Sequence, residues 1–274
     1  MSYLSNFHHQ ITGPEKGRKW VFLHGLMGYA QNWRKITASL ESTERILAYD
    51  QRGHGRSFKP ETGYAPEDYA EDLNKITNEL GWDRFILVGH SMGARNAMSF
   101  THRYPEKVEK LVIEDMGPEL NGASFDYYKT LIENIPTPFK DRDAAKNFFQ
   151  DRFPQMMEFN EPAPVLSSFL YANLLTNSDG SMDWRFSKAG VLESVRQGHL
   201  KERWADVASF RCPTLLIRGG QSRILTHEVF EKMLAINPLI QGIEVPGAGH
   251  WIHSDNAPEF LRLITDFAND QLKI

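Results

Sequence analysis

The chain has 274 residues, 41% of them hydrophobic, which is enough to bury one large core or one core with an insertion. Its 31 basic residues stand against 35 acidic ones, a formal net charge of -4, so no cationic surplus exists to neutralise a phosphate backbone or an anionic membrane; nucleic acid is not an expected partner. The first ten residues are mixed and polar and no apolar run approaches the roughly 18 residues that cross a bilayer, so the expectation is a cytoplasmic protein without a membrane span.

In chain order, short apolar runs at residues 20–23, 46–49, 85–88, 111–113, 215–217 and 243–245 are bounded by turn formers and read as buried strands. Helical stretches lie between them. Residues 66–80 carry Tyr69, Leu73, Ile76 and Leu80 at helical spacing, and 92–104 is stopped by Pro105. The alternation predicts an α/β architecture, a mostly parallel, doubly wound sheet with helices on both faces. Between Met116 and about Phe210 the rhythm breaks: no strand-like run appears, and Pro136, Pro138, Pro154, Pro162 and Pro164 divide the segment into short helices. The expectation is a core domain made of 1–116 and 211–274, with 117–210 inserted as a helical cap. A closing amphipathic helix starts at Asn256 and Pro258 and carries Phe260, Leu263, Ile264 and Phe267. Cys212 is the only cysteine, which excludes an internal disulfide and a cysteine-based metal cluster, and its place before a strand suggests a small buried hydrophobe. No phosphate-binding loop or dinucleotide fingerprint is present, so neither cofactor nor metal is expected.

Three segments carry chemistry. Gly89-His90-Ser91-Met92-Gly93 follows one strand and opens a helix, the context in which G-x-S-x-G turns a serine hydroxyl out of a sheet. Ser91 is therefore the candidate nucleophile. His24-Gly25-Leu26-Met27-Gly28 follows another strand, and the backbone N–H groups of Leu26 and Met92 are the candidate pair of oxyanion donors. His24 itself reads as a brace of that turn. Gly247-Ala248-Gly249-His250-Trp251 lies past the strand 243–245, which makes His250 the candidate base, while His253 reads as a satisfied surface or loop residue.

These segments, with Asp50-Gln51-Arg52-Gly53-His54-Gly55-Arg56-Ser57, resemble the α/β-hydrolase superfamily, whose members show H-G-x-x-G, D-x-R-G-x-G-x-S, G-x-S-x-G and G-x-G-H in this order. The resemblance covers nearly the whole chain. It implies the α/β-hydrolase fold, maps nucleophile and base onto Ser91 and His250, and gives Asp50 and Arg52 structural roles near the site. Most relatives place an acid after the strand matched by 215–217, where this chain reads Gly219-Gly220-Gln221-Ser222-Arg223, with Ser222 in place of a carboxylate. The strand 111–113 supplies Glu114 and Asp115 instead, at the edge where Ser91 emerges, and alternation along the strand lets only one of them face the histidine. A minor branch, the small bacterial acyl esterases and their mitochondrial abhydrolase relatives, is similar in placing its acid there in an aspartate-x-x-proline context, which Asp115 and Pro118 match. Asp115 is the expected acid, with Glu114 and then Asp255 as alternatives, and Ser222 is given no orienting role.

A serine at the elbow implies acyl transfer through an acyl-enzyme, hence a carboxylic-ester hydrolase acting on short to medium acyl esters or thioesters, with a small molecule as partner. The same scaffold also hosts C–C bond hydrolases or lyases, and the vacant acid position at Ser222 raises a third reading, a non-catalytic ligand-binding member. Tyr127, Phe139, Phe148, Phe149, Phe153, Phe159, Phe169, Trp184 and Trp204 either line an acyl pocket or form the core of the cap. Oligomeric state is not legible in one sequence.

Overall fold

The computed structural model describes residues 2–119, 124–159 and 162–272. Seven of its strands form one sheet: β1 (His9–Thr12), β2 (Lys19–Leu23), β3 (Arg45–Tyr49), β4 (Phe85–His90), β5 (Val108–Glu114), and, after the pair β6 (Leu174–Thr176) and β7 (Met182–Trp184), β8 (Thr214–Gly219) and β9 (Ile240–Val245). Their order is β1-β3-β2-β4-β5-β8-β9, parallel throughout except for β1, which runs antiparallel to β3 at the edge. β4 and β8 are buried at every position, as strands covered on both faces must be, and their apolar runs are continuous rather than alternating for that reason.

Helices cover both faces. On one side α2 (Pro66–Glu79) and α3 (Met92–Arg103) pack Leu73, Ile76, Ala97 and Met98 onto Val21, Leu87 and Leu111 of the sheet. On the other side α1 (Arg34–Leu40) and a late helix at residues 257–268 pack Ile36, Phe260, Leu263 and Phe267 onto Phe22, Val88 and Ile217. That late helix starts where expected, because the Asn256 side chain accepts the Glu259 N–H and Pro258 occupies the first turn. β2 sits between β3 and β4, so the chain crosses to opposite sides of β2 after successive strands; the crevice at their carboxyl ends is where open α/β sheets gather a site.

Residues 117–210 hold α4 (Ser124–Asn134), α5 (Arg142–Asn147), α6 (Ala163–Ala172), α7 (Lys188–Leu200) and α8 (Trp204–Ala208). Two strands were not expected there: β6 and β7 pair antiparallel, and Phe139 bridges to Met182 beside them. Three-residue strands are too short to show a period. Edge strand β1 also went unread, since His9-Gln10-Ile11-Thr12 has no buried residue and thus no apolar run. Phe139, Phe148, Phe149, Phe153 and Trp184 make this segment's own hydrophobic core, against which Phe159 and Phe169 pack. Trp204 belongs elsewhere. It packs on the α2–α3 face of the sheet and donates its indole N–H to Glu119 at 2.7 Å. After these come α9 (His227–Ile236), α10 (Ile252–Asp255) and α11 (Ala257–Ala268). Among the described residues no helix is long and apolar enough to cross a membrane.

Candidate active site

Ser91 stands between the end of β4 and the start of α3 with φ 52° and ψ -119°, a left-handed conformation that costs a non-glycine residue energy and marks a tight elbow. Glycine is required on both sides. A Cβ at Gly93 would stand 2.3 Å from the Leu23 carbonyl oxygen, and one at Gly89 would stand 2.5 Å from that of Gly93. The Ser91 N–H donates to the Glu114 carbonyl at 3.2 Å, tying the elbow to the end of β5.

One residue later the chain bends again. Asp115 is fully buried with φ 50°, a conformation that aspartate tolerates better than most residues, and its N–H donates to Ile217 of β8 at 2.8 Å. Its carboxylate meets three donors. Oδ1 accepts the Gly219 N–H at 3.0 Å, while Oδ2 lies 2.7 Å from His250 Nδ1 and takes the Ser222 hydroxyl at 2.5 Å. Ser222 thus touches the carboxylate itself, which corrects the expectation that it has no orienting part. The loop position read as a vacant acid site thus holds a hydrogen-bond donor to Asp115, a contact no spacing rule reveals.

The neighbouring carboxylate of Glu114, the last residue of β5, points away. Glu114 accepts the His253 backbone N–H at 2.8 Å, and both its oxygens lie 2.9 Å from His253 Nδ1. His253 is satisfied but not at the surface: it is 5% exposed, with its ring centroid 4.5 Å from that of Trp33. Asp255, the third candidate, accepts the Gly249 N–H at 2.8 Å and so shapes the loop before His250. His90, Glu114 and His253 bring possible ligand atoms within 4.8 Å of one another, and the Glu114–His253 hydrogen bonds already join two of the three.

Three histidines near the site, His24, His54 and His90, are held as neutral rings by burial. His24 Nε2 accepts the Gln51 N–H at 2.9 Å, so its proton sits on Nδ1 and is donated to the Gly25 carbonyl at 2.8 Å; burial holds this imidazole down at about 4. His54 braces the same turn by accepting the Met27 N–H at 3.2 Å, and burial followed by the neighbouring His24 pushes it down to about 3. His90 donates from Nε2 to the carbonyl of His250 at 2.9 Å, and burial holds it well below its ordinary value. Its backbone bond fixes the loop that carries His250.

Asp50 accepts the Ala30 and Arg56 N–H groups, each at 2.8 Å, and Arg52 makes two bonds to Asp72, at 2.6 and 2.5 Å, with a third to the Gly63 carbonyl at 2.6 Å. These contacts tie the loop after β3 to α2 and to the turn at Ala30. Met92 opens α3, so its amide has no partner four residues back in its own helix and forms part of the positive end of the helix dipole. Cys212 is buried, and burial raises its thiol to about 11, which keeps it protonated.

Ser91 and His250 line one cavity of about 30 Å³, together with Leu26, Tyr127, Phe169 and Ile224. A second cavity of about 60 Å³ shares Leu26, Ser91 and Ile224 and adds Met92, Arg95 and Met116. A much roomier one, about 600 Å³, touches His24, His90, Trp251 and His253 but neither Ser91 nor His250, so its size does not make it the reaction chamber.

Residues 21–257 match the family model described as alpha/beta hydrolase fold. Among curated proteins, the chain is 29% identical over 253 residues to a 2-(acetamidomethylene)succinate hydrolase of Mesorhizobium japonicum, covering 92% of this chain and 88% of that one. It is also 29% identical over 255 residues to the sn-1-specific diacylglycerol lipase ABHD11 of Mus musculus, covering 90% and 80%. Among solved structures, an E-2-(acetamidomethylene)succinate hydrolase superposes with a TM-score of 0.83 at 27% identity, covering 96% of this chain and 95% of that one.

Proposed function

The chain belongs to the α/β-hydrolase fold family, and from that premise we propose that it is a serine hydrolase of small acyl esters or thioesters, with Ser91 as nucleophile, His250 as base and Asp115 as the orienting acid. The observation that carries this reading is the 2.7 Å contact between His250 Nδ1 and a fully buried Asp115 carboxylate, on a histidine that shares a cavity with the elbow serine. A carboxylate on Nδ1 fixes the tautomer that leaves Nε2 as the proton acceptor and stabilises the imidazolium once the proton arrives.

In the proposed cycle Ser91 Oγ attacks the acyl carbon as its proton passes to His250, and the carbonyl oxygen becomes an oxyanion held by the Leu26 and Met92 amides. Collapse expels the alcohol or thiol, which takes the proton from His250. Water, deprotonated by the same imidazole, then attacks the acyl-enzyme, releases the acid and restores Ser91. Residues 117–210 act as a lid in this reading, because Tyr127, Leu166 and Phe169 come from that segment and leave only about 30 Å³ beside the nucleophile.

A second reading keeps the three residues and changes the bond. One relative is named for a succinate derivative rather than for an ester, which favours testing cleavage of an activated C–C or enamide-type bond by the same groups. The non-catalytic reading loses its motive once Asp115 stands behind His250. A fluorophosphonate probe, with turnover of a short-chain p-nitrophenyl ester, tests the proposal: labelling of the wild-type protein and loss of both labelling and turnover in Ser91→Ala are expected. A wild-type protein that takes up no label and cleaves no ester would sink it.

A further inference from the structure

Arg95 lies one turn into α3 from Ser91, to whose carbonyl its N–H donates at 3.1 Å, and the two residues line one cavity. It is 3% exposed and lines the 60 Å³ cavity with Ser91 and Met92. A guanidinium buried there needs a counter-charge. Its protein contacts supply none: Nη2 donates to the carbonyls of Gly198 at 2.8 Å and Lys201 at 3.4 Å, Nη1 to that of Gly117 at 3.4 Å, and buried Nε has no partner among the described residues. Asp206 and Glu67 act on it only from a distance, and both are engaged by Arg203, at 2.6 and 2.8 Å. Burial first, and then the charge of Arg203, lower the Arg95 guanidinium to about 10, so the cation is held under strain yet remains charged near neutral pH.

Capping the negative end of α7 accounts for the carbonyl bonds and offsets part of the charge, but a helix dipole supplies only about half an elementary charge, and it leaves Nε without a partner among the described residues. The lining of the cavity that Arg95 shares with the nucleophile includes Leu26, Met92, Met116 and Ile224, the amide of Asn96, which is engaged with Gln51 at 2.8 Å, and the hydroxyls of Tyr69 and Ser194, bonded to each other at 2.6 Å. Apolar near the serine and cationic at one wall, it suits a short acyl chain that ends in an anion.

We propose that Arg95 recognises a carboxylate on the acyl part of the substrate, so that the preferred substrates are monoesters or monothioesters of short dicarboxylic acids. A helical turn of about 5.4 Å sets the spacing, which suits a spacer of roughly two or three methylenes between the reacting carbonyl and the carboxylate. The fork of Arg95 then binds the carboxylate through charge-assisted hydrogen bonds, Nε among them, and supplies the missing counter-ion. This specificity rests on the serine-hydrolase reading above.

The test is a matched pair, the glutaryl and valeryl thioesters of N-acetylcysteamine, which differ by a terminal carboxylate in place of a methyl group. Wild-type protein is expected to favour glutaryl over valeryl in kcat/KM by at least about tenfold, and Arg95→Met to lower that ratio by about ten- to a hundredfold, mainly through KM, with Arg95→Lys between them. A wild-type preference for valeryl, or a ratio unchanged in Arg95→Met, overturns the proposal while valeryl turnover leaves the hydrolase reading standing. Loss of both thioesterase activities together with failure of the fluorophosphonate to label Ser91 in the wild type overturns the hydrolase reading and this one with it. Should Arg95→Met not fold, protection of wild-type Ser91 from labelling decides: glutarate is expected to slow it at millimolar concentration and glutaramide is not, and equal behaviour of the two overturns the proposal.

Discussion

Two carboxylate–histidine pairs stand side by side at the end of β5, built from the last residue of that strand and the one after it, and from histidines three apart, His250 before α10 and His253 within it. Asp115 meets His250 at 2.7 Å and Glu114 meets His253 at 2.9 Å, and both carboxylates are fully buried. By pair geometry alone they are equivalent. They differ in what lies beside each ring: His250 lines a cavity with Ser91, Leu26 and Ile224, whereas His253 packs between Trp33 and Phe260 and borders a cavity that Ser91 does not line. The lesson is that a buried acid–imidazole pair is as suited to joining two elements as to moving a proton, and that the neighbour of the ring decides which.

Removing the charge from each pair in turn breaks this comparison most sharply. Asp115→Asn is expected to lower kcat/KM by roughly ten thousandfold with the fold intact, because an amide beside Nδ1 favours the wrong tautomer and cannot stabilise the imidazolium. Steady-state kinetics on a short-chain ester, beside a thermal melt, reads both. Activity within tenfold of wild type would mean that Asp115 is not the acid.

Glu114→Gln is expected to do the reverse, costing stability instead of rate. Its carboxylate takes the backbone N–H and the ring N–H of His253, and bonds to a charged acceptor contribute about 1.5–3 kcal/mol each. The amide oxygen keeps one of them, so chemical denaturation should show a loss of roughly 2–3 kcal/mol while kcat stays within a few fold. Equal losses of kcat in Glu114→Gln and Asp115→Asn would erase the distinction between the two pairs.

How much of this was legible in the sequence follows the same division. The strands 85–88 and 215–217 showed themselves because burial on both faces leaves a continuous apolar run, and the strained turn at Ser91 was marked by the glycines its close contacts demand. That Asp115 and Glu114 face opposite ways came from strand alternation. What lay on those opposite sides did not, since the burial of His253 under Trp33 depends on α1 and α11 closing from two distant parts of the chain. Arg95 reads in sequence as an ordinary helix arginine; only the α7 carbonyls and the segment folded over α3 make it a buried ion. The three-residue strands β6 and β7 and the unburied β1 lacked any pattern to read.

The smallest expected effect sharpens the comparison from within one pair. Ser222 donates its hydroxyl to Oδ2 of Asp115, the same oxygen that faces His250 Nδ1, and accepts the Ile224 N–H at 3.1 Å. A second donor on that oxygen holds the carboxylate plane in place and also draws off part of the charge available to the imidazolium, two effects of opposite sign. Orientation should dominate, since Gly219 N–H at 3.0 Å is the other donor anchoring the carboxylate and it reaches Oδ1. Ser222→Ala is therefore expected to lower kcat by about tenfold, the scale of one hydrogen bond to a charged group, with KM nearly unchanged. A rise in kcat would show that charge withdrawal is the larger effect and that Ser222 restrains the base it helps to position.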